Sequence, residues 1–184
     1  MLNSELDVIR FWKENDIFQK SIEQNKTGES YVFLDGPPFV TGMPHLGHLS
    51  TGFPKDIFPR FWTQKGKYCI RRWGWDCHGL PIENLVQKEL NIKDKREIEE
   101  TIGVEKFNET AKANIKGFDS SWRLTIERSG RWVDMDNQYR TMDIDYMESV
   151  WWGLGQLWQK DSFTKIIELV CTHLQWEQLF LIWR

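Results

Sequence analysis

The chain has 184 residues, 40% of them hydrophobic and 28% charged, which fits one globular domain or a piece of a larger one. Its formal net charge of −3 gives no overall attraction for nucleic acid, so any RNA contact would depend on local basic patches such as Arg71 and Arg72. No apolar run reaches the ~18 residues of a membrane span, and no secretory segment follows the N-terminus. We therefore expect a cytoplasmic protein without membrane contact, in which the cysteines are reduced.

The N-terminal part of the chain predicts a helix, a polar connection and a buried strand. Ser4 is a candidate helix cap. The apolar face of this helix would comprise Val8, Phe11, Trp12 and Ile17 or Phe18. The run 31–34 shows no alternation of apolar and polar residues, so it predicts a strand that is buried on both faces, as in a parallel sheet.

A second strand is predicted at 68–70, after a helix over about 46–65. Pro54 and Pro59 fall inside this helix, where each removes a backbone hydrogen bond and is expected to kink or interrupt it. The order strand, helix, strand predicts a parallel pair with a right-handed crossover.

The rest of the chain is predicted to be mainly helical. Residues 84–128 are charged and helical in period, and 143–160 predict another helix. The inward face of that second helix would comprise Ile144, Met147, Val150, Trp151 and Leu154. From about residue 162 the chain is dense in large apolar residues and lacks turn signals.

A turn and a helix start follow the first predicted strand, over residues 35–48. Pro37 and Pro38 stiffen the backbone that leaves the strand, and Gly42 allows it to approach a ligand closely. His45 and His48 share one face of the helix start, beside free backbone N–H groups, where a triphosphate would be favoured. The alternative is a turn in which the two histidines only cap the helix.

A second group of polar residues, at 74–83, follows the second predicted strand and so falls at the same carboxyl edge of the sheet. A carboxylate there, Asp76, suits a substrate ammonium group, although Asp76 alone could also be a helix cap. A metal site at Cys77 and His78 would need further ligands at suitable spacing, and none lies near them in the sequence. We therefore predict no metal site in the protein.

The two segments together resemble class I aminoacyl-tRNA synthetases, in the version found in the isoleucyl-tRNA synthetase family. The tetrad His45-Leu46-Gly47-His48 matches the ATP-binding signature of that class, and 74–83 matches the isoleucyl sequence rather than the valyl or leucyl ones. The resemblance runs from about residue 6 to 160. It implies an α/β, partial Rossmann-type catalytic core of parallel strands with helical crossovers.

The resemblance also implies roles for single residues. The amino-acid pocket would be lined by Pro37 and Phe39, with Asp76 on the α-amino group. The ATP-binding residues would be Gly42, His45, Gly47 and His48, of which His45 and His48 would be catalytic. The family often has Ala-Asn at positions 40–41, where this chain has Val-Thr.

The activity that this resemblance implies is ATP-dependent activation of isoleucine, with Mg²⁺ bound to the ATP, and transfer of isoleucine to tRNA. The second ATP loop of the family, of the Lys-Met-Ser-Lys-Ser type, is not present in these residues. We therefore expect 1–160 to be the N-terminal part of a catalytic domain, inactive alone. Two alternatives are a synthetase-derived nucleotide-binding module without catalysis and a class I nucleotidyltransferase.

Residues 161–184 do not continue the family pattern. Plausible codons for 161–165, read two bases further on, encode Phe-Val-Tyr-Lys, which does resemble the family. We hypothesise that this tail is read out of frame. Codons in the gene that are incompatible with the shifted reading would exclude the hypothesis.

Overall fold

The computed structural model describes the backbone of residues 2–160, 165–167 and 181–183, and the side chains of 4–114 and 117–160. The chain divides into two compact units, Met1–Met142 and Asp143–Arg184. Within the described residues, no helix is long and apolar enough to cross a membrane.

The first unit begins with two helices, α1 (Leu2–Glu14) and α2 (Ile17–Glu23). Ser4 lies inside α1 rather than at its cap, because the helix already begins at Leu2. The predicted continuous face is broken at Asp16, whose left-handed backbone (φ 50°) ends one helix before the next begins.

Helix α3 (Leu46–Gln64) confirms the prediction for 46–65 almost to the residue. The expected interruption does not occur, since the helix continues through Pro54 and Pro59. Pro59 is buried, and its carbonyl accepts a hydrogen bond from the Thr63 hydroxyl (2.8 Å). The proline is thus held within the helix by burial, although it supplies no backbone N–H.

The prediction of a doubly buried strand at 31–34 is wrong. Val32 and Leu34 are 75% and 90% exposed, and the segment meets its neighbour only through isolated parallel bridges, Ser30 to Tyr68 and Phe39 to Asp76. Between these bridges the first segment takes nine residue steps and the second takes eight, so no continuous ladder forms. The parallel direction that was predicted for the pair is nevertheless confirmed.

The regular strands described in the first unit are β1 (Arg72–Trp75) and β2 (Asp134–Arg140), which pair in parallel. The second predicted strand thus begins at Arg72, a few residues later than expected, and β2 was not predicted at all. The register jumps between the pairs Arg72–Asp134 and Gly74–Tyr139. Here β2 starts with a tight turn, in which the Asp134 carboxylate accepts from the backbone N–H groups of Asp136 and Asn137.

The connection from β1 to β2 is helical, as predicted for 84–128. It comprises α4 (Leu80–Glu89), a π-helical turn (Ile98–Ile102), α5 (Val104–Gly117) and α6 (Asp119–Arg128). The described part of this unit is therefore an α/β arrangement of parallel segments with helical crossovers, in agreement with the predicted fold class.

Three tryptophans form the centre of the core. Trp73 and Trp75 are two residues apart in β1, so both lie on the same side of the strand. Trp122 of α6 packs edge-on against Trp75, with ring centroids 5.4 Å apart. Gly74, between them, faces the ring of Tyr139, and a Cβ at Gly74 would lie 2.2 Å from that ring. A side chain at position 74 would therefore require the Tyr139 ring to move away from β1.

The second unit contains α7 (Ile144–Gln159), which matches the prediction for 143–160. The expected inward face is wrong, since Trp151 is 70% exposed and Ile144, Val150 and Leu154 are exposed too. In the segment predicted to be out of frame, only Lys165–Ile167 and Leu181–Trp183 are described, as the antiparallel strands β3 and β4. The remainder of 161–184 lies outside the described residues.

Candidate active site

Helix α3 is capped at its N-terminus by its own two histidines. His45 has extended backbone angles (φ −128°, ψ 172°), and its Nδ1 accepts a hydrogen bond from the Gly47 N–H (3.1 Å). In turn, Nδ1 of His48 accepts a hydrogen bond from the His45 N–H (3.2 Å). The two rings lie 3.8 Å apart between centroids. The histidines thus form a capping box, a role that usually falls to serine and glutamate.

This cap fixes the tautomer of both rings. A neutral imidazole whose Nδ1 accepts a hydrogen bond carries its proton on Nε2. The predicted free N–H groups are therefore partly occupied, since those of His45 and Gly47 bond to ring nitrogens. What the helix start offers an anion is the pair of Nε2–H donors, held on one face of α3. Capping and phosphate binding use different ring nitrogens, so the two interpretations do not exclude one another.

Trp122 holds His48 in place from α6. Its indole ring meets the imidazole nearly edge-on at 4.7 Å, and its Nε1 donates to the Gly42 carbonyl (2.9 Å). Trp122 is 1% exposed, so this contact joins the turn and the helix start to the core. Partial burial lowers the pKa of His48, and the nearby His45 and Lys55 lower it further.

Two of the predicted ATP-binding residues, Gly47 and Gly42, differ in what surrounds the place of a side chain. A Cβ at Gly47 would lie 2.9 Å from Cε1 of the His45 ring, so a side chain there would displace the cap. A Cβ at Gly42 would meet nothing within 4 Å, so no protein atom requires glycine there. Gly42 instead borders a cavity of about 370 Å³, into which a side chain at position 42 would project.

That cavity brings together three of the predicted site residues besides Gly42. Its lining residues are Phe39, Thr41, Gly42, Met43, His45, His48 and Pro81. Pro37, Gly47 and Asp76 are not among them, although Pro37 and Gly47 belong to the same turn and helix start. A larger cavity of about 560 Å³, between α3 and α6, is also lined by His48. Another, of about 440 Å³, lies among α1, α2, α6 and the start of β2.

The two predicted motifs meet at Phe39 and Asp76. These residues form a parallel bridge in which the Asp76 N–H donates to the Pro38 carbonyl (2.9 Å). Among the residues that the structure describes, the Asp76 carboxylate accepts one long bond, from the His78 N–H (3.4 Å). Asp76 does not cap α4, whose N-cap is Gly79. Its carboxylate therefore remains available to a cationic ligand beside the cavity.

Thr141, at the end of β2, holds the turn that carries Asp76. Its hydroxyl oxygen accepts from the buried Cys77 N–H (2.9 Å) and lies 3.2 Å from Nδ1 of His78. The Thr141 N–H donates to the Trp75 carbonyl (3.1 Å). Burial raises the pKa of the Cys77 thiol, so that thiol is neutral. Within the described residues, no group of three or more His, Cys, Asp or Glu could hold a metal ion.

Asp35 anchors the start of the turn. Its carboxylate lies 2.6 Å from Lys55 Nζ of α3 and also pairs with Arg131, while Lys55 donates to the Gly36 carbonyl as well. Sequence reasoning missed Lys55, Trp122, Arg131 and Thr141. No short-range pattern marks them, because Arg131 and Trp122 lie 96 and 80 residues from their partners in the turn.

The histidine cap predicts that stability falls in mild acid. The pKa of His48 is lower in the folded chain than the usual 6.5, so between these two values the unfolded chain binds more protons. The free energy of unfolding should therefore rise with pH up to about 6.5 and be lost as pH falls through the lowered pKa. Urea unfolding between pH 5 and pH 7.5 measures this. Asn at position 48 keeps a cap acceptor without titrating, so a slope unchanged in His48→Asn would contradict the assignment.

Replacing Thr141 with valine should destabilise the turn that carries Asp76. Valine has nearly the same shape but no acceptor, which leaves the buried Cys77 N–H without a partner. The expected loss in the free energy of unfolding is about 1–3 kcal/mol, measured by chemical denaturation. Thr141→Ser keeps the hydroxyl and serves as the matched control. Equal losses for valine and serine would mean that the methyl group, not the hydroxyl, matters.

The sequence as a whole matches a known family. A family model described as tRNA synthetases class I (I, L, M and V) matches residues 7–177. The chain belongs to this family. The match includes the predicted range from about residue 6 to 160, and it extends into the segment 161–184.

Among relatives of this class I synthetase chain, several are isoleucine–tRNA ligases. That of Treponema denticola is 50% identical over 156 residues, which is 85% of this chain and 14% of the relative. The Ehrlichia ruminantium ligase is 48% identical over 90% of the chain, and the cytoplasmic ligase of Arabidopsis thaliana is 45% identical over 85%. The chain spans only 13–15% of the length of these relatives.

A solved structure supports the class I synthetase fold. The LeuRS of Agrobacterium radiobacter K84, in a ternary complex with tRNA and LeuAMS, matches with a TM-score of 0.60. The match covers 89% of this chain and 18% of that chain at 18% sequence identity, so it bears on the fold alone.

Proposed function

We propose that this chain is part of an isoleucine–tRNA ligase and contributes half of its site for ATP and isoleucine. The observation that carries the proposal is the bridge between Phe39 and Asp76, which joins the carboxylate to the turn that leads to His45 and His48. A phosphate-binding group and an ammonium-binding group at one sheet edge suit a reaction between ATP and an amino acid. The identity of 45–50% to isoleucine–tRNA ligases supports isoleucine as that amino acid.

In this proposal the two imidazoles bind the triphosphate. Their Nε2–H groups donate to phosphate oxygens, and they stabilise the charge that develops when the isoleucine carboxylate attacks the α-phosphate. That attack forms isoleucyl adenylate and releases pyrophosphate. Mg²⁺ would arrive with the ATP and offset the charge of its phosphates, held mainly by phosphate oxygens and water.

The amino acid would lie beside Phe39 and Pro37, with its α-ammonium group paired to Asp76. The carboxylate of Asp76 is half-buried and only weakly bonded, so a charge-assisted hydrogen bond to an ammonium is favourable there. Transfer of the isoleucyl group to tRNA would follow in the complete enzyme. A cytoplasmic location accords with the two free buried thiols, Cys69 and Cys77.

Isoleucine-dependent exchange of pyrophosphate into ATP tests the proposal. The protein encoded by the complete gene should support exchange with isoleucine and much less with valine or leucine. Nucleotide binding without exchange would favour a synthetase-derived binding module instead. Transfer of a nucleotidyl group to another acceptor, without a need for amino acid, would favour a nucleotidyltransferase. We expect the 184 residues alone to show no exchange, since they contain no second, lysine-bearing ATP loop.

A further inference from the structure

A small cavity behind the Asp35 turn is surrounded by hydrogen-bond donors that have no acceptor. It has a volume of about 20 Å³, and its polar lining includes Asp35, Lys55, Arg71, Arg131 and Trp132. Arg71 is only 6% exposed, and the side chain of Arg131 is 9% exposed. The cavity belongs neither to the His45–His48 site nor to any residue assigned above to a substrate.

Four buried N–H groups of these lining residues lack a partner. They are Nε and Nη1 of Arg71, Nε of Arg131 and Nε1 of Trp132. The nearest acceptors are already charge-paired or bonded. Asp35 forms ion pairs with Lys55 and Arg131, although its Oδ1 makes no hydrogen bond, and the Thr63 hydroxyl accepts from Nη2 of Arg71. Buried donors without acceptors are rare in proteins, since each costs about 1–3 kcal/mol.

The cavity also carries excess positive charge. Among the described lining residues there are four cations, Lys55, Arg71, Arg72 and Arg131, and one carboxylate, that of Asp35. Asp56 also lies near Arg71, but it pairs with Arg60 at 2.6 Å. Cys69, beside Arg71, supplies no negative charge, because burial raises the pKa of its thiol. The Phe18 and Trp132 rings lie 5.5 and 5.9 Å from the Arg71 guanidinium, and they attract its charge without accepting its N–H groups.

We propose that this cavity binds one monovalent anion the size of chloride, held by Arg71, Arg131 and Trp132. The volume suits a single small species. A water molecule would accept two of the four donors and leave the charge unbalanced, whereas a halide accepts from all four and offsets one positive charge. The anion would thereby link two parts of the chain. One is α3, whose Lys55 pairs with Asp35 at the cavity, and the other is the backbone at Arg131 that leads into β2.

Thermal unfolding in halide and in a bulky organic anion tests the proposal in solution. Raising chloride from about 10 to about 100 mM, with sodium gluconate holding ionic strength constant, should raise the unfolding midpoint by about 2–4 °C. Arg71→Met keeps the length of the side chain but removes its charge and donors, so this variant should lose the response. The matched control is Arg96→Met, which removes an exposed arginine paired with Asp94 and should keep the response. Equal midpoints of the unmodified chain in chloride and gluconate would overturn the proposal.

Bromide provides a test that does not depend on the stability of a variant. Crystals of the unmodified protein grown with sodium bromide should show an anomalous peak in the cavity, within hydrogen-bonding distance of Arg71 and Trp132. Density there without anomalous signal would identify water and overturn the anion site.

Discussion

Replacing His48 with alanine in the complete enzyme is expected to lower the rate of isoleucyl adenylate formation by about 2–4 kcal/mol of transition-state stabilisation. The change removes an Nε2–H donor that is fixed in position by the bond from the His45 N–H to Nδ1. Isoleucine affinity should change little, because in the proposed function this donor binds phosphate rather than the amino acid. Pyrophosphate exchange at saturating isoleucine, with kcat and KM measured separately, provides the comparison.

Two further replacements separate capping from catalysis at position 48. Asparagine offers an acceptor near the place of Nδ1, so it should keep the helix cap and the stability while losing the rate. Glutamine offers an amide N–H near the place of Nε2, so it should recover part of the rate. If asparagine were as active as histidine, His48 would be only a cap. A proportional loss of isoleucine binding and rate would also contradict the assigned role.

Asp76→Asn is expected to act on isoleucine rather than on ATP. The neutral amide keeps the shape of the side chain but removes the charge that would pair with the α-ammonium group. A charge-assisted hydrogen bond of about 1.5–3 kcal/mol implies that the KM for isoleucine rises by roughly 10- to 150-fold. The KM for ATP, measured in the same exchange assay, should stay close to its original value.

The position of Asp76 makes this test selective. Its backbone N–H, not its carboxylate, holds the turn to Pro38, so asparagine should leave the bridge to Phe39 intact. Unfolding measurements would verify that stability is preserved. A KM for isoleucine that stays constant while ATP binding weakens would show that the two subsites are assigned the wrong way round.

The sequence alone predicts what depends on neighbours in the chain. The start of α3 at Leu46, after the cap His45, and its end near Lys65 follow from local spacing and capping. The parallel direction of the two segments follows from the strand–helix–strand order. The strand β2 was missed because its residues, Asp134–Arg140, are mostly polar and show no apolar alternation. It is defined by pairing with β1, which no local pattern reveals.

Burial was the other quantity that local pattern could not predict. The apolar runs at 31–34 and on α7 have the composition of core segments, yet Leu34 and Trp151 are exposed among the described residues. Composition indicates which side chains favour burial, but the packing partner decides whether it occurs. The residues that position the site, Trp122 and Thr141, were missed for a similar reason, since each acts through a partner far away in sequence.

These distant partners also determine when the site can form during synthesis. The bond from Trp122 to Gly42 spans 80 residues, and the bond from Thr141 to Cys77 spans 64. When His45 and His48 emerge from the ribosome, α6 and the end of β2 have not yet been synthesised. Neither motif can be fixed until they follow. Because long loops close slowly, the turn before α3 and the turn that carries Asp76 should be among the last parts of Met1–Met142 to become ordered. Chains that end before Thr141 should leave the Asp76 turn loose.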